Sequence, residues 1–157
     1  MSMNRFLFVC SGNICRSPAL QGVLEHLLAE KGTDAYVDSC GTHGTFLGNS
    51  PDRRMQEVAN ANGVTLKTRA KVFERANFDQ FDYIFCVNEE TMQAIQAMAT
   101  SEQEEKKVML ATQFSKNYHN LPIPDPYFGG EEGFNEVWNF VEDACRGILK
   151  HFYLDKN

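Results

Sequence analysis

Blocks of apolar and polar positions along this chain predict strands followed by helices. Residues Arg5–Cys10 are almost continuously apolar, which is typical of a parallel strand covered on both faces. After a short polar loop, the apolar positions repeat with helical spacing as far as Gly32, a residue typical of a helix end. Pro18 suits the first helical position, and Ser17 suits the cap that precedes it. We therefore expect a strand, a loop and a helix over this stretch.

The same alternation continues along the rest of the chain. Further strands are predicted near Ala35–Ser39, at Tyr83–Val87 and at Lys107–Ala111. Further helices are predicted from about Pro51 to Gly63, from about Glu89, and from about Phe134 to Phe152. Strands that alternate with helices predict an α/β fold with a parallel sheet and helices on both faces. No repeat or linker divides the chain, so we expect one domain over residues 1–157.

Composition narrows the class of protein. Of the 157 residues, 43% are hydrophobic and 23% are charged, which excludes a disordered or fibrous chain. The net charge of -6 argues against broad electrostatic binding to nucleic acid or to an anionic membrane, so an anionic ligand needs a local site. The five cysteines have no zinc-site spacing, and the first residues have no apolar segment of signal-peptide length. We therefore expect free thiols and a cytoplasmic location.

The loop between the first strand and the first helix carries the strongest chemical signal. Together with its flanking residues it reads Cys10-Ser11-Gly12-Asn13-Ile14-Cys15-Arg16-Ser17-Pro18. Gly12 and Asn13 can adopt the positive φ that lets backbone N–H groups converge, and a helix N-terminus favours an anion at that point. Arg16 can bind two phosphate oxygens at once. The loop predicts a phosphate site, and it lacks the Walker A and dinucleotide patterns that would indicate a nucleotide.

Cys10 ends the predicted strand beside this anion site. The same positive field stabilises a thiolate, which is the attacking form of cysteine. We predict phosphoryl transfer to Cys10, with Arg16 and the loop N–H groups holding the charge that develops on the phosphate oxygens. Ser17 could donate a hydrogen bond to the sulfur when it leaves phosphorus. The alternatives are a buried structural thiol for Cys10 and a plain helix cap for Ser17.

A phosphate ester also needs a proton on its leaving oxygen, and Asp125 is the best candidate for that acid. It lies between Pro124 and Pro126, which favour a stiff, extended backbone that presents the side chain. Tyr127 and Phe128 follow and can form pocket walls. The alternative is an aspartate selected for turn chemistry.

Other polar residues are interpreted as structural. The histidines at positions 26, 43, 119 and 151 have no motif around them and are expected to be surface or capping residues. Asp52 suits the start of a helix, and Arg53 and Arg54 are expected to be solvated or structurally paired.

The two motifs together resemble those of the low molecular weight protein tyrosine phosphatase family. The residues that carry the resemblance are Val9 to Pro18 and Asp125-Pro126-Tyr127, with shorter matches at Asp38-Ser39, Gly48-Asn49, Pro51-Asp52 and Phe81-Asp82-Tyr83-Ile84. The resemblance implies a single-domain, four-stranded parallel sheet with the phosphate-binding loop between the first strand and the first helix. It implies a phosphocysteine on Cys10, phosphate binding by Arg16, and Asp125 as acid and then base, with no metal and no other cofactor.

The resemblance also implies supporting roles. Asn13 would hold the strained loop with help from Ser39, and Ser17 would assist the leaving sulfur. Cys15 would form a reversible disulfide with Cys10 under oxidation. The residues expected to contact the substrate are Ser11, Gly12, Asn13, Ile14, Cys15, Ser17, Phe46, Tyr127 and Phe128.

Some positions depart from the family pattern. Thr68 stands where many members have a histidine that steadies the phosphate loop, which leaves open how this chain steadies it. Thr45 stands where an aromatic residue often begins the loop that forms one pocket wall. Ile14 resembles the tyrosine-directed members, because relatives that act on phosphoarginine tend to carry threonine there.

Three functions follow from these observations. The expected one is hydrolysis of phosphotyrosine and small aryl phosphates, because Cys10, Arg16 and Asp125 are all present. A phosphotyrosine-binding regulatory module is the alternative outside catalysis. Thiol-linked arsenate reduction would need two redox cysteines near the third strand, where only Cys86 lies. The expected partner is a phosphotyrosine protein or peptide, without nucleic acid or membrane, bound by a monomer or weak dimer.

Overall fold

A sheet of four parallel strands in the order β2-β1-β3-β4 forms the centre of the molecule. The computed structural model describes residues 3–127 and 129–154. The strands are β1 (Arg5–Cys10), β2 (Tyr36–Gly41), β3 (Tyr83–Cys86) and β4 (Val108–Leu110). Phe8 of β1 is in register with Ser39 of β2 and with Phe85 of β3, so β1 is an inner strand. Cys10, the last residue of β1, therefore lies in the middle of the carboxyl edge of the sheet.

Helices pack on both faces of this sheet. They are α1 (Arg16–Lys31), α2 (Arg53–Ala61), α3 (Asn77–Gln80), α4 (Glu89–Gln96), α5 (Glu102–Lys106) and α6 (Glu131–Leu149). A π-helical turn, Lys150–Leu154, continues α6. The predicted single-domain α/β fold with a four-stranded parallel sheet is confirmed. Among the described residues, no helix combines the length and apolar character that a bilayer crossing requires.

The apolar run of β1 is explained by two separate clusters. Phe6 and Phe8 lie in the larger cluster, together with apolar residues of α1, α2 and α6. Leu7 and Val9 point to the other face, where they pack in a smaller cluster with Phe78 and other residues. All four β1 side chains are at most 1% exposed. Because both faces of the strand are covered, no polar position interrupts it.

The start of α1 corrects one prediction. The helix begins at Arg16, and the residue before it, Cys15, makes no side-chain cap. Ser17 was predicted as the cap, but it lies inside the first turn, where it is fully buried and its hydroxyl bonds to other groups. The predicted helix end is confirmed, because Gly32 follows Lys31 with a φ of +73°.

The last helix begins and ends earlier than predicted. It starts at Glu131, directly after Gly130 in an extended conformation, and regular α-helix ends at Leu149. Phe152, the predicted end, lies in the π-helical turn and packs against Phe6 with ring centroids 5.2 Å apart. The apolar pattern continues through this turn because it still faces the sheet.

Candidate active site

The loop after β1 curls round the sulfur of Cys10. The backbone N–H of Asn13 donates to Cys10 Sγ at 3.3 Å, and Ser17 Oγ lies 2.9 Å from the same sulfur. Two hydrogen-bond donors can thus stabilise negative charge on this sulfur. Cys10 is buried from bulk water but lines a cavity at the carboxyl edge of the sheet.

Asn13 holds the loop in its shape. It has a φ of +59° and is 1% exposed. Its side-chain amide donates to Ser17 Oγ at 2.8 Å and to Ser39 Oγ at 3.0 Å, and its Oδ1 accepts from the backbone N–H of Lys71 at 3.0 Å. Asn13 therefore joins the loop to β2 and to the segment after α2. Gly12 was also expected to take a positive φ, but in this loop Asn13 alone of the described residues does so.

A residue outside the predicted site, Gly41, lets β2 approach this loop. A Cβ on Gly41 would lie 2.4 Å from the carbonyl oxygen of Ser11 and 3.1 Å from the backbone nitrogen of Asn13. The next residue, Thr42, donates its N–H to the carbonyl oxygens of Cys10 and Ser11, each at 2.9 Å. Only glycine fits at this position without moving the phosphate loop.

Gln21 of α1 contacts Ser39 and extends the hydrogen-bond network of Asn13. Ser39 Oγ donates to Gln21 Oε1 at 2.6 Å, while it accepts from Asn13. Gln21 Nε2 in turn donates to the carbonyl oxygen of Val37 at 3.4 Å. Gln21 and Thr68 border the same surface groove, so Gln21 supports Ser39 in the region of Thr68, where the sequence left the support of the loop open.

Arg16 brings a buried positive charge to the loop. It is 3% exposed, and its Nη1 donates to the carbonyl oxygen of Ile123 at 3.0 Å. Its Nη2 lies 3.4 Å from Ser11 Oγ and 3.5 Å from Asp125 Oδ2. Because charges are costly to bury, this guanidinium is held at the cavity by an acidic partner and by polar neighbours.

Asp125 lies next to Arg16 in the wall of the cavity. Its side chain is 47% exposed, and Oδ1 accepts the backbone N–H of Tyr127 at 3.0 Å. This turn leaves Oδ2 directed towards Arg16. The three residues that the sequence singled out for chemistry, Cys10, Arg16 and Asp125, thus border one cavity although 115 positions separate the first from the last.

The cavity has a volume of about 210 Å³ and two aromatic walls. The rings of Phe46 and Tyr127 lie 5.6 Å apart, centroid to centroid. Phe128, predicted as a further wall, lies outside the described residues. The residues that line the cavity are Cys10, Ser11, Gly12, Ile14, Cys15, Arg16, His43, Phe46, Asp125 and Tyr127. His43 is an addition to the predicted set. Its position just after β2, at the carboxyl edge of the sheet, was the sequence feature that could have placed it near the cavity.

The other four cysteines are also buried, and Cys15 lines the cavity beside Cys10. Burial raises the pKa of Cys15, and the charge of Asp52 nearby raises it further. Burial likewise raises the pKa values of Cys40, Cys86 and Cys145. A raised pKa keeps a thiol protonated, so these groups do not compete with Cys10 for attack on phosphorus. Over the described part of the chain, no three His, Cys, Asp or Glu side chains are grouped to hold a metal ion.

Comparison with known proteins places this site in a family. A low molecular weight phosphotyrosine protein phosphatase of Schizosaccharomyces pombe is 35% identical over 147 residues, which cover 92% of this chain and 94% of that protein. The crystal structure of a protein tyrosine phosphatase from Entamoeba histolytica, with Hepes in its active site, superposes with a TM-score of 0.89. That chain is 33% identical, and the match covers 96% of this chain and 97% of the other.

A further solved structure with the same fold is a Drosophila arginine phosphatase, with a TM-score of 0.89 and 29% identity. The match covers 97% of this chain and 99% of that one. The sequence model described as low molecular weight phosphotyrosine protein phosphatase matches residues 5–157. The chain therefore belongs to the low molecular weight phosphotyrosine protein phosphatase family, which confirms the predicted family and enzyme class.

Proposed function

We propose that this chain hydrolyses phosphotyrosine and small aryl phosphates through a phosphocysteine on Cys10. The observation that carries the proposal is that Cys10 Sγ, the Arg16 guanidinium and the Asp125 carboxyl group border a single cavity with aromatic walls. A nucleophile, a phosphate-binding charge and an acid are the three groups that transfer of a phosphoryl group to sulfur requires.

In the first step, the thiolate of Cys10 attacks phosphorus in line with the leaving oxygen. The S–P bond forms as the bond between phosphorus and the phenolic oxygen breaks, and protonated Asp125 gives its proton to that oxygen. Arg16 and the N–H groups of the loop hold the charge on the three other oxygens. The products of the step are the free phenol and the phosphocysteine.

In the second step, a water molecule attacks the phosphocysteine. Asp125, now a carboxylate, takes a proton from the water, the S–P bond breaks, and inorganic phosphate leaves. Ser17 Oγ accepts the Asn13 amide and has one proton, which it shares between the Cys40 carbonyl oxygen at 3.3 Å and the Cys10 sulfur at 2.9 Å; the charge of a released thiolate draws that proton to sulfur. Ser17 thus stabilises the thiolate that is released.

The cavity walls favour an aromatic phosphate ester. Phe46 and Tyr127 flank the space above the phosphate loop, where a phenyl ring would pack between them. Phosphoserine is too short to place its phosphate at the loop and also contact these rings. Ile14, which lines the cavity and is 8% exposed, adds an apolar surface that favours phosphotyrosine over phosphoarginine.

Several broader expectations belong to the same proposal. The partner would be a phosphotyrosine-containing protein or peptide, and the enzyme would be cytoplasmic and active as a monomer or weak dimer. It would need no metal or other cofactor, because Arg16 and the loop N–H groups supply the positive charge. Cys15, which lines the same cavity, would be the redox partner of Cys10.

The test is metal-free hydrolysis of matched peptides that carry phosphotyrosine, phosphoserine or phosphoarginine. We expect turnover of the phosphotyrosine peptide alone, with loss of nearly all activity in Cys10→Ser. Cys145→Ser is the matched control, because Cys145 is equally buried but its thiol donates to the carbonyl oxygen of Leu20 and is not among the residues that line the cavity. Tight phosphotyrosine binding without turnover in the folded, reduced protein would support the binding module instead.

A further inference from the structure

The first turn of α2 carries an arginine whose contacts reach beyond its own helix. Asp52 caps α2 by accepting the backbone N–H of Arg54 at 2.8 Å. The carboxylate of Asp52 also accepts from the Arg54 side chain, at 3.2 Å from Nε and 3.0 Å from Nη2. Burial alone would raise the pKa of Asp52, but the hydrogen bonds and charge of Arg54 bring it below its ordinary value. The two side chains thus form a charged pair at the helix start.

The same guanidinium holds the segment that follows Asp125. Arg54 Nη2 donates to the carbonyl oxygen of Tyr127 at 2.8 Å, and Nη1 donates to that of Gly129 at 3.3 Å. The guanidinium carbon also lies 4.6 Å from the ring centroid of Phe134 in α6. Since the N–H of Tyr127 holds the Asp125 carboxylate, Arg54 fixes the residue that orients the proposed acid.

The start of α2 is also tied to the phosphate loop. The backbone N–H of Asp52 donates to the carbonyl oxygen of Ile14 at 2.7 Å. A short chain of contacts therefore runs from the loop round Cys10, through Asp52 and Arg54, to the segment that carries Asp125. The start of α2 therefore contacts both the phosphate loop and the segment that carries Asp125.

We propose that Arg54 is a positioning residue that sets the distance and orientation of Asp125 relative to the phosphate held above Cys10. The inference rests on the proposed function, in which Asp125 protonates the leaving oxygen. A misplaced acid slows only the reactions that need its proton, because general acid catalysis requires hydrogen-bond contact with the leaving atom. Over the described part of the chain, Arg54 donates its hydrogen bonds to Asp52, Tyr127 and Gly129 and none to a side chain of the phosphate loop.

The test compares two substrates with different leaving groups. Phenyl phosphate needs protonation of its leaving oxygen, whereas 2,4-dinitrophenyl phosphate releases a stable anion without it. The variants are Arg54→Met and, as a matched control, Arg53→Met, whose side chain is 86% exposed and pairs with Glu57 of the same helix at 3.4 Å. The measured quantity is kcat/KM, which reports the steps up to formation of the phosphocysteine.

We expect Arg54→Met to lower kcat/KM for phenyl phosphate by about tenfold, and for the dinitrophenyl ester by less than about twofold. The inhibition constant of inorganic phosphate should stay at the parent value, because the phosphate loop is intact. Arg53→Met should match the parent on both substrates. Equal losses on both substrates, or no loss on either, would overturn the proposal.

Asp125→Asn separates this inference from the proposed function. If Asp125 is the acid, its replacement alone must produce the leaving-group dependence, and Arg54→Met added to it must cause no further loss. If Asp125→Asn shows no leaving-group dependence, the acid role fails and the role of Arg54 fails with it. If Asp125→Asn behaves as expected and Arg54→Met does not, only the positioning role is overturned.

Discussion

At the scale of single residues, Asn13 is the buried group on which the phosphate loop depends most. Asn13→Ala removes two donated hydrogen bonds and leaves the N–H of Lys71 without its acceptor. It also places alanine at a φ of +59°, which asparagine tolerates better. We expect a loss of about 2–4 kcal/mol in the free energy of unfolding and a large loss of kcat/KM. Chemical denaturation and assays with an aryl phosphate would measure both.

Asn120 provides the matched control for Asn13. It has nearly the same φ, +57°, but it is exposed, and its side-chain amide bonds to the neighbouring His119. Asn120→Ala should cost about 1 kcal/mol for the backbone alone and leave activity at the parent level. Equal losses for the two variants would show that the hydrogen bonds of Asn13 contribute nothing.

The pair of cysteines in the cavity leads to a prediction about oxidation. We expect hydrogen peroxide to convert the Cys10 thiolate to a sulfenic acid, and the Cys15 thiol then to displace water and form a disulfide. Dithiothreitol should restore most activity to the parent, whereas Cys15→Ser should lose activity irreversibly as Cys10 oxidises further. Cys40→Ser serves as control, since Cys40 is also buried nearby. Equal recovery in Cys15→Ser and the parent would contradict the pairing.

The sequence could predict the residues whose own chemistry is distinctive. Cys10, Arg16 and Asp125 were found because each sits in a short motif next to a strand end or a stiff turn. The supporting roles of Gln21 and Arg54 were not predicted. A helical amide or guanidinium has no local sequence motif, and its role depends on which distant residues the fold brings into contact with it. Their partners, Ser39 and the segment after Asp125, are distant in the chain and come close only through the sheet and helix packing.

At the scale of elements, the end of β2 controls the position of the phosphate loop. Gly41→Ala would push a methyl group to 2.4 Å from the carbonyl oxygen of Ser11, so the loop or the strand must shift. We expect about 1–3 kcal/mol of destabilisation from this overpacking, and a fall of kcat/KM of about tenfold or more from the displaced loop. Thermal unfolding and steady-state kinetics would measure the two effects.

Gly133→Ala is a suitable control for that change. Gly133 lies within α6, and a Cβ there would meet the Cβ of Pro126 at an ordinary 3.9 Å. Alanine favours a helix by about 0.5–1 kcal/mol over glycine, so this variant should be slightly more stable and fully active. A Gly41→Ala variant with parent activity would show that the loop tolerates the shift.

The elements that the sequence predicted best are those with a long buried face. β1 was predicted with its observed bounds because two clusters cover it, and α1 was placed by its apolar spacing and by Gly32. The short helices α3 and α5 were not predicted. They have four and five residues, and α5 buries none of them, so no periodic apolar signal exists to detect.

At the scale of the whole molecule, the two edges of the sheet differ in role. The carboxyl edge carries the proposed active site, and the amino edge carries contacts that stabilise the fold. The phosphate loop extends from the carboxyl end of β1, and the amino end of β1 is tied down by ion pairing. Arg5 Nη2 lies 2.9 Å from Asp82 Oδ1, and the backbone N–H of Arg5 donates to Asp82 Oδ2 at 2.9 Å. This contact joins the start of β1 to the residue before β3, at the end of the sheet remote from Cys10. Changes here should alter stability without altering catalysis.

The Arg5–Asp82 pair makes stability depend on pH in a definite direction. Hydrogen bonds from Arg5 hold the pKa of Asp82 below its ordinary value of 3.8, so the folded protein binds this proton less readily than the unfolded chain. The stabilisation is complete above that ordinary value and is lost as the pH falls through the lower value of the folded state. Because both side chains are more than a third exposed, the pair contributes at most about 1 kcal/mol.

Asp82→Asn should therefore lower the free energy of unfolding by up to about 1 kcal/mol at pH 7. The difference from the parent should shrink as the pH falls from about 4 towards the lower pKa of folded Asp82, where the folded parent also loses this charge. Asp79→Asn, which removes an exposed charge three residues away in α3, should show no such dependence. Denaturation at several pH values, with aryl phosphate turnover at pH 7, would measure both expectations. A difference that stays constant with pH, or a loss of turnover, would contradict the assignment of this edge to stability alone.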